Sequence, residues 1–177
     1  MKRAFLIIGL AALLAACTAN NRDHKVSEIE THEQALSTID LGADGNAEAT
    51  ELIGLYRAFA LDFPEDSLVP VYLMRAADLS ITLGETGQAI DLLDSVVALY
   101  PGYDDMAGCL FLRGYAYECG ELYDEARKAY ETFVSEYPDH YLSADVAKML
   151  PFLGMSPEEM FENIINAASS QNLTEAM

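Results

Sequence analysis

Asp40, Asp44, Glu48 and Glu51 place carboxylates at positions one, five, nine and twelve of a twelve-residue stretch whose sixth residue is Gly45. Oxygen donors at that spacing, with glycine at the sharp bend, suit a hard cation such as calcium held in a loop between two helices. Two positions depart from that chemistry. Gly42 stands third and has no side-chain oxygen, and Ala47 stands eighth where a larger apolar residue would anchor the loop. The same residues also read as a plain turn between antiparallel helices, with Gly42 closing one helix and Asn46 capping the next. Other reactive side chains are scattered. His24, His32 and His140 have no carboxylate or cysteine at metal-ligand spacing, and Cys109 and Cys119 have no histidine partner along the chain. There is no glycine-rich phosphate loop and no serine elbow, so neither an enzyme nor a cofactor is expected.

A different chemistry belongs to Cys17. Lys2 and Arg3 precede the uncharged run Ala4–Ala16, which is too short to span a bilayer as a helix. The run closes on Leu14-Ala15-Ala16-Cys17, which resembles a bacterial lipoprotein processing box. The alternative is an ordinary secretory leader that happens to meet a cysteine. The resemblance implies cleavage before Cys17 and a diacylglyceryl thioether on its sulfur, with a second acyl signal to make the anchor stable. Thr18 follows the cysteine and no acidic run comes after it, so the same resemblance implies an outer-membrane anchor facing the periplasm.

The charge balance agrees with attachment by lipid. The chain carries 29 acidic against 10 basic residues, a net charge of −19 over 177 residues, and two of the bases lie in the leader. Such a surface repels phosphate backbones and anionic headgroups, which excludes nucleic acid as a partner. Cys109 and Cys119, ten residues apart in one helical run, lie about 15 Å apart along a helix and cannot be bridged; both are expected to be buried.

The elements that must position these residues are announced by a repeat. Phe63-Pro64, Tyr100-Pro101 and Tyr137-Pro138 recur at intervals of 37 residues. A fixed period in this range marks stacked supersecondary units. Between the pairs the apolar spacing is helical: Leu52, Ile53, Tyr56, Phe59 and Phe63; Val69, Tyr72, Leu73, Ala76 and Ser80; Ala89, Leu92, Leu93, Val96 and Tyr100; then Leu110, Gly114 and Tyr117, followed by Ala126, Tyr130, Phe133 and Tyr137. Each proline disfavours α geometry at the aromatic before it and ends the helix there. Ala77 and Ala89, and likewise Gly114 and Ala126, lie 24 and 12 residues before the later prolines, where missing bulk lets paired helices approach.

Gly114, Tyr117, Tyr123, Ala126, Tyr130 and Pro138 resemble the tetratricopeptide (TPR) pattern of small, aromatic and proline positions, and Leu73, Ala77, Gly84, Ala89 and Pro101 resemble it one unit earlier. The period of 37 exceeds the family's usual 34. Gly120 lies six before Ala126 whereas Gly84 lies five before Ala89, so the register of the second unit is open by one residue. The resemblance implies an all-α fold, a TPR-like α-solenoid of antiparallel helix pairs with seven or eight helices after the signal peptide. Its expected divisions are a signal peptide at 1–16, a lipidated polar spacer at 17–26, an N-terminal helix pair at 27–66 opened by a Ser27–Glu30 capping box, repeats at 67–101 and 102–138, C-terminal capping helices at 139–168 begun at Ser156 and Glu159, and a frayed tail at 169–177.

In TPR proteins the first helix of each pair lines a peptide-accepting groove. Carried over by position, that groove would contain Met74, Asp78, Phe111, Tyr115 and Glu118, with Arg75 and Arg113 paired to acids. The implied function is a non-catalytic, lipid-anchored scaffold that docks envelope proteins, similar to envelope TPR proteins of the outer-membrane assembly and Tol–Pal type. A small lipoprotein that binds a ligand or calcium at Asp40–Glu51 is the alternative.

Overall fold

The computed structural model describes residues 21–39 and 42–175. Cys17, the leader and Asp40 therefore lie outside the described residues. Eight α-helices and one 3-10 turn are present, with no strand among the described residues. Helix α1 covers 21–36 and α2 is Ala43–Asp62; α3 (Val69–Thr82), α4 (Thr86–Leu99), α5 (Met106–Cys119) and α6 (Tyr123–Glu136) follow. α7 (Ser143–Met149), the turn Leu150–Phe152 and α8 (Pro157–Glu175) complete the chain. Helices α1–α4 form one compact unit, which ends at Tyr103, and α5–α8 form a second, which begins at Asp104. Neighbouring helices pack as pairs, α2 on α3 and α3 on α4 in the first unit, α5 on α6 and α6 on α7 in the second. This is the TPR-like, all-helical arrangement expected. No helix among the described residues is long and apolar enough to cross a membrane.

The three aromatic-proline pairs end their helices identically. Phe63, Tyr100 and Tyr137 take φ/ψ of −133/57°, −127/54° and −127/57°, off the helical basin as a residue before proline must be. Each aromatic still donates its N–H to the carbonyl four residues back, those of Phe59, Val96 and Phe133. Its own carbonyl then accepts from the N–H three residues on, from Asp66, Tyr103 and His140, closing a turn with proline in the second position.

The other type of junction ends the first helix of a pair. Gly84 N–H donates to Ile81 O and Glu85 N–H to Ser80 O, a Schellman closure around a left-handed residue at φ 78°. Glu121 N–H to Glu118 O and Leu122 N–H to Tyr117 O repeat it, with the left-handed position at Glu121, φ 58°. The open register is thereby resolved. The left-handed residue lies five before the small residue in both units, and the glycine of the second unit stands one place too early to serve it.

Most of the expected core positions are buried, while Phe63, Tyr100, Tyr117 and Tyr137 are half-buried. In the first unit Tyr56 stacks on Tyr72 at 5.1 Å, Phe59 meets the Tyr72 edge at 5.0 Å, and Ala77, Ala89, Leu93 and Val96 are fully enclosed. In the second, Phe133 gathers Phe111, Tyr137 and His140 at 5.7, 6.5 and 5.1 Å. A Cβ on Gly114 would lie 2.5 Å from the Tyr130 ring, so the glycine makes room for that aromatic. One repeat earlier the matching positions hold Ala77 and Leu93, a larger residue against a smaller one.

Several expectations at the ends are corrected. α1 is already helical at residue 21, so Ser27 and Glu30 lie inside it and cap nothing, and residues 21–26 are helix rather than spacer. Asn46 is likewise inside α2, whose N-cap is Gly42 with extended backbone. Cys119 is exposed while Cys109 is buried, because ten residues of helix turn them to different faces. α8 continues to Glu175, through most of the tail expected to fray. Its capping box is as read: Ser156 N–H donates to Glu159 Oε2 at 2.8 Å and Glu159 N–H to Ser156 Oγ at 3.2 Å.

Replacing Glu121 with Gly should raise the unfolding free energy by about 0.5–1 kcal/mol, since the left-handed strain of about 1–2 kcal/mol exceeds the added chain entropy. Gly84→Ala should lower it by about 1 kcal/mol. Urea melts read both, and shifts of the same sign would contradict the Schellman assignment. Gly114→Ala should lower stability by about 1–3 kcal/mol, and adding Tyr130→Leu, which copies Ala77 and Leu93, should recover part of that loss in the same melts.

Candidate functional site

The first unit carries its polar chemistry where α1 meets α2 and α3. Glu33 of α1 accepts from the Tyr56 hydroxyl at 2.6 Å and pairs with the Arg75 guanidinium of α3. Burial first, then the bond to Glu33, pushes the Tyr56 hydroxyl far above the ordinary phenol range, so it stays a donor. Arg22 reaches Asp66 at 2.6 Å and Lys25 reaches Asp62 at 2.6 Å, fixing the start of α1 over the α2–α3 turn. Arg22 and the Leu68 N–H hold the Asp66 carboxyl below the usual range. His32 completes the seam, 2.7 Å from Glu48 of α2.

Beside this network lies an open hollow of about 290 Å³, lined by Glu33, Leu36, Ser37, Leu52, Tyr56, Arg75, Asp78 and Leu79. Its walls are α1 and α3, the first helices of successive pairs, with α2 behind them. Asp78, one of the expected groove residues, is exposed on its rim, and Met74 is half-buried one turn earlier on α3. Phe111, Tyr115 and Glu118 share one face of α5 in the second unit. Tyr115 is 43% exposed, whereas Phe111 packs on Tyr130 and Phe133, and Glu118 accepts from the Tyr130 hydroxyl at 2.8 Å. Phe111 and Glu118 thus serve the core as well as the surface. Arg75 pairs with an acid as expected; Arg113 sits 5.9 Å above the Tyr117 ring.

The twelve-residue calcium loop is not formed. α2 begins at Ala43, so Asp44, Glu48 and Glu51 are all on helical backbone, which cannot wrap a cation as a loop does. Glu48 and Glu51 instead meet His32, with ligand atoms of all three within 4.8 Å of one another. No spacing along the chain announces this cluster, because the histidine arrives from another helix.

Sequence reasoning also missed a larger cleft on the second helices. Arg57, Ala60, Leu61 and Pro64 face Gln88, Asp91, Leu92, Ser95, Leu99 and Tyr100 across about 620 Å³, with Leu73 at the floor. Leu61 and Leu99 are 82% and 69% exposed. The Tyr100 hydroxyl donates to Pro64 O at 2.9 Å, linking two junctions one period apart. The available signal was Leu61 and Leu99, off the buried stripe and one or two residues ahead of the first two aromatic-proline pairs.

A tetratricopeptide-repeat family model matches residues 109–140, which cover most of α5, all of α6 and the Tyr137–His140 turn. A TPR repeat is therefore present in the second unit. Neither a curated protein nor a solved structure matches the chain.

The Arg22–Asp66 pair predicts an acid dependence. A carboxyl lowered on folding adds stability that is complete above about pH 4 and is lost as pH falls through the folded value. With Arg22 partly exposed the effect stays under about 1 kcal/mol. Asp66→Asn should flatten this part of the urea midpoint between pH 5 and pH 3, roughly the window set by a carboxylate's ordinary value.

Proposed function

We propose that this chain is a non-catalytic TPR scaffold, anchored by lipid on Cys17 at the periplasmic face of a bacterial outer membrane, which docks segments of other envelope proteins. The observation that carries the reading is the TPR repeat at 109–140 together with the first-helix faces it implies: exposed Tyr115 on α5, and Asp78 on the rim of the hollow between α1 and α3. Helical repeats of this kind use such faces for protein recognition, and a tyrosine offers a rigid, amphipathic contact. The net charge of −19 favours a segment rich in lysine or arginine and speeds its encounter. The cleft lined by Leu61 and Leu99 is the competing surface on the same unit.

Photo-crosslinking residues placed at Asp78 and at Tyr115 in whole cells should capture a discrete protein, identified by mass spectrometry. Capture from Leu61 and Leu99 with none from Asp78 or Tyr115 would move the docking face to the cleft. Cys17→Ala should shift the protein from the membrane to the soluble fraction; continued membrane retention would refute the lipid anchor.

A further inference from the structure

We propose that His32, Glu48 and Glu51 form a binding site for a borderline divalent metal ion of the zinc class, clipping α1 to α2. The donors are one imidazole nitrogen and two carboxylate oxygens, all within 4.8 Å of one another. His32 and Glu48 are half-buried at the helix seam, with side chains 24% and 19% exposed and Nδ1 2.7 Å from Oε1. Glu51 lies one turn further along α2, three residues from Glu48, which puts both carboxylates on one helical face against the imidazole.

A hydrogen bond between His32 and Glu48 alone would account for two of these residues. That bond does not include Glu51, whose carboxylate lies beside Glu48 with like charge that a cation would offset. A cation satisfies all three. Around a tetrahedral ion with bonds of about 2.0–2.1 Å, donor atoms stand about 3.4 Å apart. The His32–Glu48 distance of 2.7 Å must open by about 0.7 Å, and the Glu51 oxygen must swing inwards. Glu51 is exposed and can turn without disturbing packing. Three protein ligands leave the fourth position to water, the usual count of an open zinc site.

The donor chemistry also separates this site from calcium. Calcium takes six to eight oxygens in a flexible loop, whereas two carboxylates and an imidazole on rigid helices offer too few oxygens and one nitrogen. Glu48 and Glu51 are thus the residues that the linear spacing assigned to a hard cation, turned by α2 towards a histidine that changes the preferred metal. The excess of acids over bases raises the local concentration of any divalent cation.

The test is isothermal titration of the purified, chelator-treated chain with zinc chloride, with thermal melts in parallel. One ion per chain should bind and the melting midpoint should rise, because the ion binds the folded state in preference. Glu51→Gln, on the exposed side, should weaken binding about tenfold or more without lowering the metal-free midpoint, since it removes a like charge beside Glu48. His32→Gln should abolish the zinc-dependent shift. Calcium at the same concentration should leave the midpoint unmoved. No zinc-dependent shift, a shift that survives unweakened in Glu51→Gln, or an equal shift with calcium would each overturn the assignment.

Discussion

The rest of the architecture depends on a steric conflict between proline and the residue before it. At Phe63, Tyr100 and Tyr137 the following pyrrolidine ring forbids continued α geometry, and the missing proline N–H removes the next rung of the helix. The chain answers in one way at all three places. It keeps the aromatic's own helical hydrogen bond, rotates ψ to between 54 and 57°, and closes a turn onto the aromatic's carbonyl. The turn closes with the same hydrogen bonds at all three places, and the aromatic ring is delivered beside the preceding buried phenylalanine in two of the three cases. The repeat is therefore a repeat of one backbone constraint, more than of any side-chain list.

Inside each pair the constraint is one of size. Gly114 lies against Tyr130, and the matching positions of the preceding pair hold Ala77 and Leu93. Bulk removed from one helix reappears on its partner, and a close-packed interior requires such compensation. This explains how a pattern of small and aromatic positions can tolerate different residues while the helices stay in pairs. Tyr130 also anchors its hydroxyl on Glu118, so its polar end stays satisfied although the ring is buried.

Much of this was legible in the chain because it is local. Proline after an aromatic, helical spacing of Ala89, Leu92, Leu93 and Val96, and small residues at fixed offsets each act within a turn or two of themselves. The Ser156–Glu159 cap was legible for the same reason. What failed was local chemistry overridden by packing. Ser27 with Glu30 and the Gly42–Asn46 turn are sound capping signals, yet α1 begins earlier, where Arg22 and Lys25 reach Asp66 and Asp62, and α2 begins at Ala43. The register of the second unit stayed open because glycine is the usual left-handed residue and here Glu121 takes that role beside Gly120. Of the expected groove residues, Asp78 and Tyr115 are exposed, while Phe111 faces a ring cluster that the α5–α6 pairing creates.

The charged residues of α1 were the least legible, and they show why. Arg22, Lys25, His32 and Glu33 each find a partner on α2, α3 or the turn between them, at separations from 16 to 44 residues along the chain. A short-range reading sees an isolated polar helix near an expected spacer. Folding turns that helix into the charged edge of the first unit, with its start tied by the ion pairs of Arg22 and Lys25 and its last turn held through Glu33 by Tyr56 and Arg75. Exposed ion pairs of this sort add little stability one by one. Set around a half-buried phenol that must donate, they fix the rotation of α1 about its own axis. That rotation turns Glu33 towards Arg75 and His32 towards Glu48, so the hollow and the histidine–glutamate cluster are two consequences of the same seating of one helix.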